Sequence, residues 1–145
     1  MRYLLILFIA IMLLAGCTEP QKREAFDAKV DAIRSARMAF VRKMESVDDI
    51  DVAWKDEKFQ SDTSALLGKW RSACNELRYM DQPAGSRWSR IWPMVTDAMD
   101  GYTEVIAITD AGIETNNIFV LMPVMGKLNA ADALMEDVYR ILNAP

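Results

Sequence analysis

Cys17 and Cys74 are the only thiols in a chain that contains no histidine. Without histidine the commonest general base and the commonest metal ligand are both missing. A Ser-His-Asp arrangement is therefore impossible. The nearest serine–lysine pairing, Ser64 with Lys69, does not have the Ser-x-x-Lys spacing of lysine-assisted acyl transfer. Asp48-Asp49-Ile50-Asp51 offers oxygen ligands, but a hand-type calcium loop begun at Asp49 meets Ala53 at a ligand position and Trp54 where glycine is required. Met122 and Met125 could hold Cu(I) through their thioethers. No Cys or His lies near them, and methionine in helical proteins mostly fills core gaps. The carboxylates Asp27 and Asp31 have Arg23 and Arg34 at helical spacing to balance them. No glycine-rich phosphate loop occurs. These patterns argue against an enzyme, and they assign no catalytic residue, no metal ligand and no dissociable cofactor.

Cys17 has a more specific setting. Met1-Arg2-Tyr3 is a short positive start, residues 4–14 are unbroken hydrocarbon, and Ala15-Gly16 are small. The apolar run is well short of the ~20 residues that span a bilayer as a helix. Leu14-Ala15-Gly16-Cys17 resembles the lipobox of bacterial lipoproteins, and the resemblance covers residues 1–18. It implies that 1–16 is a signal peptide removed in processing and that Cys17 carries a thioether-linked diacylglycerol. It also implies that 17–22 is a short tether leading to a domain over 23–145. Two or three acyl chains make a durable anchor where one would not. Thr18, where an acidic residue would retain a lipoprotein in the inner membrane, implies the periplasmic face of the outer membrane. Where host sorting differs, the outer face of the inner membrane is implied instead. An ordinary secretory signal and an uncleaved signal anchor are the competing readings.

Removing 1–16 takes away Arg2 alone and leaves sixteen basic and twenty-one acidic side chains. That balance excludes a general nucleic-acid binder. The 129 residues that remain suit one domain with one core. With Cys17 acylated, Cys74 has no partner for an internal disulfide and reads as a small buried apolar residue.

The elements that must position these residues all read as helix. Four segments carry apolar residues at three- and four-residue spacing. Over 20–45 the stripe is Phe26, Val30, Ile33, Arg37, Phe40, Met44, with the Arg37 stem buried and its head expected in water. Over 49–80 it is Val52, Phe59, Thr63, Leu66, Trp70, Ala73, Leu77, Met80, with a possible break near Ser61-Asp62. A turn with Pro83 and Gly85 follows. From Ser86 or Ser89 to Ile113 the stripe is Trp88, Trp92, Val95, Met99, Tyr102, Ile106, Thr109, Ile113, with Pro93 in the first turn or at a kink. Asn117 is placed to cap a last helix carrying Leu121, Val124, Leu128, Ala131, Met135, Val138 and Leu142, bent early by Pro123. Four such helices joined by short turns imply an all-α, up-down-up-down four-helix bundle, with a three-helix arrangement as the alternative.

In that topology the turn after the second helix lies on the membrane side. Arg87, Trp88 and Arg90 are expected to face the membrane, since indoles and basic side chains favour the interface, while a core role for Trp88 and Trp92 is the competing reading. Residues 118–125, IFVLMPVM, are apolar on every side. Phe119, Val120 and Met122 are expected either to form a contact patch for a partner or to be buried in a bent helix start. The function implied is a membrane-anchored, non-catalytic factor that binds, escorts or scaffolds another envelope protein. The alternatives are a helical bundle holding a small hydrophobic ligand, and an exclusion- or immunity-type lipoprotein.

Overall fold

Burying an apolar stripe is what makes each of these segments helical, and the helices are arranged so that every stripe finds another. The computed structural model describes residues 19–145. Within them the regular structure is helical throughout and no strand occurs. Helix α1 (Glu19–Glu45) is followed by a single turn, α2 (Ile50–Ala53), and then by α3 (Glu57–Arg78), α4 (Ser86–Glu114), a 3₁₀ turn (Ile118–Leu121) and α5 (Val124–Leu142). Cys17, the apolar run before it and Thr18 lie outside the described residues. Because α1 begins at Glu19, residues 19–22, expected as tether, form its first turn.

Close packing joins α1 to α3, α3 to α4, and α4 to α5. The shared core includes Phe26 and Phe40 of α1, Leu67 and Trp70 of α3, Ile91, Met99 and Ile106 of α4, and Leu128 and Val138 of α5. Gly101 lets α4 and α5 come closest, since a Cβ there would lie 3.0 Å from the Ala131 Cβ. At one end, the Trp88 indole N–H donates to Glu19 at 3.0 Å and Arg87 donates to the Leu142 carbonyl at 3.3 Å. The opposite end holds the connections on either side of α2 and of the 3₁₀ turn.

Two departures from the sequence reading have local causes. The single helix expected over 49–80 is two, because Asp56 accepts from the Phe59 amide and starts α3 afresh. Ser61 and Asp62 lie inside α3, so the chain does not take the break that was open to it there. Val52 consequently falls off the stripe and is exposed, and Leu67 rather than Leu66 is the fully buried leucine. The last helix is not a bent continuous one. Asn117 caps the 3₁₀ turn through the Phe119 amide, and Pro123 occupies the N-cap of a separate α5. Pro93, expected in the first turn or at a kink, lies inside α4 on its exposed side.

The run Ile118–Leu142 is long and apolar enough to cross a membrane by length and composition. Its stripe, Val124, Leu128, Ala131, Met135, Val138 and Leu142, is buried in the core, and the opposite face carries Glu136 and Arg140. That is the pattern of a helix packed on others along one side.

Candidate functional site

The seam between α1 and α5 is built differently from the others. Their partners run in opposite order along the two helices: Arg23 donates to Asn143, the Tyr139 hydroxyl donates to Asp27, and Arg37 pairs with Asp132. Side chains span this seam, while close backbone packing is confined to the other three pairs of long helices. A groove of about 570 Å³ opens along it, lined by Val30, Ile33, Arg34 and Met38 of α1, Tyr102 of α4, and Met135 and Glu136 of α5, among others. That volume lies within the ~300–1,000 Å³ typical of small-molecule sites.

A polar cluster closes each end of the groove. At one end the Tyr102 hydroxyl donates to Asp132 at 2.7 Å, and Arg37 pairs with the same carboxylate. Arg37 therefore does not hold its head in water as expected. Its side chain is 22 % exposed, its Nε is buried without a hydrogen-bond partner, and its charge is met by Asp132. At the other end the Tyr139 hydroxyl donates to Asp27 at 2.9 Å, and Asp27 is also paired with Arg23 at 2.9 Å. Burial, and then the hydrogen bond to a carboxylate, push both tyrosine hydroxyls well above the ordinary phenol range. These phenols hold their protons and act as donors that fix the two carboxylates. Neither is placed as an acid–base group.

The apolar surface expected near residue 119 is present in part. Phe119 is 73 % exposed, Met122 83 % and Met125 58 %. Val120 is not on that surface. It is half-buried and turned against Gly112, where a Cβ would come within 2.8 Å of its Cγ2.

At the end near Glu19, Arg87 and Arg90 are exposed, while Trp88, expected to face the membrane with them, is buried. It is only 5 % exposed and packs edge-on against Phe26, with ring centroids 5.2 Å apart. The core claims it because its N–H finds a carboxylate at the helix end while its ring stays dry. Trp92, by contrast, is half-exposed.

Cys74 is buried, and burial pushes its thiol up to about 12, so it is not a nucleophile at neutral pH. Among the described residues no three acidic or thiol side chains converge to hold a metal ion. No protein family model, curated protein or solved structure matches this chain. Function therefore rests on the geometry alone.

Sequence reasoning missed the groove and its residues Tyr102, Asp132, Glu136 and Tyr139. One signal was available. An arginine in an apolar stripe needs a buried acceptor, and Asp132 is the acid next to the α5 stripe residue Ala131.

Proposed function

We propose that this protein is a lipoprotein anchored through Cys17 to the periplasmic face of the outer membrane. Its long helices would form an up-down-up-down four-helix bundle, and its role would be to bind and position another envelope protein without catalysis. The exposed apolar cluster Phe119, Met122 and Met125 carries the docking part of this reading. Large apolar side chains grouped on a surface cost hydration until a partner covers them, and methionines adapt to the partner's shape. The cluster lies on and just after the 3₁₀ turn, at the end of the helices away from Glu19. With the anchor two residues before Glu19, this end would point into the periplasm. The bundle arrangement is supported by the three close helix pairs and by the opposite running order of the α1 and α5 partners.

The test is photocrosslinking of the full chain in its native envelope, with a benzophenone residue at Met122. A discrete crosslinked protein is expected. It should disappear when Phe119→Asp is added and weaken with Cys17→Ser. The same crosslink pattern from Ala25, exposed near the opposite end of the helices, would overturn the docking surface. Mass spectrometry of the N-terminal peptide decides the anchor separately, since an unmodified Cys17 would sink it.

A further inference from the structure

We propose that the exposed face running from Phe119 along the outer side of α5 takes a basic amphipathic helix, a partner segment whose apolar stripe is flanked by lysine or arginine. This rests on the docking reading above and deepens it, by naming the chemistry of what docks.

The face is longer than the three apolar side chains that open it. Beyond Met125 the exposed residues are Gly126, Asn129, Ala130 and Ala133, and the first exposed charge is Glu136. With Phe119 and Met122 this makes an uncharged strip of roughly three helical turns, opposite the buried stripe of α5. Bulky side chains fill one end of it, and the other is low, with open space above Gly126. A second helix can approach such a strip at the close end of the usual ~8–10 Å between axes. An extended segment would need a strand edge to pair with, and none occurs among the described residues.

The surrounding charge selects the occupant. Along the helices Asp31, Asp100, Asp110 and Asp137 are each met by an arginine. At the end that carries Phe119 the acids are left open. Glu45, Asp48, Asp51, Glu57 and Glu114 are all exposed and form no ion pair, while among the described residues the unpaired cations there are Arg42 and Lys55. Phe119 and these acids share one end because two connections of the chain meet on Gly112. The Trp54 indole donates to its carbonyl at 3.2 Å, Val120 packs on it, and Gln60 donates to Asn116 at 3.2 Å. The last turn of α1 stands level with the start of α5, since the partners run in opposite order along the two helices. A basic helix would bring these acids the counter-charges they lack, which speeds encounter and fixes orientation. An anionic membrane would be repelled by the same acids. A second copy anchored in the same membrane would stand parallel, with the two acidic ends side by side.

The experiment uses the full chain in a non-ionic detergent and reads the anisotropy of labelled, stapled helical peptides. One carries a leucine stripe flanked by lysines, one the same stripe flanked by glutamates, and one the lysines with serine in place of leucine. The lysine–leucine peptide should bind about tenfold more tightly than the glutamate–leucine peptide at low salt, the scale of a few exposed charge pairs. The two should come within about twofold of each other at about 0.5 M salt. The serine peptide should not bind measurably. Asp51→Lys with Glu114→Lys should remove the preference. Glu24→Lys with Asp81→Lys, an equal charge change toward the opposite end, should leave it intact. All four side chains are exposed and unpaired, so neither double change disturbs the core. Phe119→Asp should weaken both leucine peptides. Equal affinity for these two, still lost with Phe119→Asp, would overturn the basic partner and leave the docking surface standing. Affinity indifferent to Phe119→Asp would overturn both. Loss of the preference in both double variants would reduce it to net charge and overturn the proposal. Binding of no peptide would overturn the basic helix, and the Met122 crosslink to protein still decides the docking surface. A dimer of the full chain that Phe119→Asp dissociates, or a Met122 photocrosslink to phospholipid instead of protein, would assign the face to another occupant and overturn the proposal.

Discussion

Gly112 has no room for a side chain. A Cβ there would lie 2.8 Å from Val120 Cγ2, 3.2 Å from Trp54 Cζ2 and 3.3 Å from the Asn117 carbonyl oxygen. Its own carbonyl accepts from the Trp54 indole at 3.2 Å and from the Asn117 amide at 2.9 Å. Two separate connections of the chain are thus fastened at one residue of α4. Gly112→Ala should therefore destabilise by about 1–3 kcal/mol, the usual cost of overpacking, despite being a favourable change by helix propensity. Urea unfolding measures this, and a stability equal to or above that of the parent would refute it. Trp54 is 1 % exposed and fell outside every stripe read from the sequence. Stripes identify side chains buried by regular helices, and Trp54 is buried from a connection.

At the scale of elements, the caps decide where helices start. Asp56 accepts from the Phe59 amide at 2.7 Å, while Asp62, inside α3, is instead engaged by Lys43 at 3.1 Å and Lys58 at 3.0 Å. Those lysines hold the Asp62 carboxyl below its usual range. Asp56→Ala should cost about 1 kcal/mol as a lost N-cap, whereas Ser61→Ala, at an exposed interior position, should change stability by less than about 0.5 kcal/mol. Chemical denaturation of the two variants distinguishes them, and equal losses would contradict this assignment of the helix start. The sequence spacing marked the four long helices because each buries one stripe over several turns. It placed the turn at Pro83 and Gly85 and the cap at Asn117 for the same kind of local reason. The break at Trp54 was not legible, because Asp49, Asp56, Ser61 and Asp62 are all competent caps and tertiary packing chooses among them. The groove was not legible either. It depends on how far apart two helices stand, which Gly101 and Ala131 set from the far side of α5. Val120 and Trp88 could each be read either way, because an apolar residue at an element's end can turn in or out, and packing on Gly112 and Phe26 turns both inward.

For the whole molecule, the buried titrating groups share one sign. The Cys74 thiol is raised from 9.0 to about 12, and the Tyr102 and Tyr139 hydroxyls are raised above their ordinary value of 10.0. The unfolded chain releases these protons first, so above the unfolded values the folded state binds more protons and stability falls as pH rises. Stability should hold up to about pH 8 and decline from about pH 9 upward, with Cys74→Ala delaying the onset toward about pH 10. Urea midpoints across the alkaline range measure this, and a flat profile would refute it. The wide seam has a mechanical side as well. A pull on the chain at Glu19 enters the fold through α1 alone. The load passes to α4 at once through Trp88, bonded to Glu19 and packed on Phe26, then to α3 through an interlocked contact and to α5 through a handful of polar side chains. The contact with α5 is the one without close backbone packing, so it is the most compliant of the three, and the space that widens as its bridges yield is the groove.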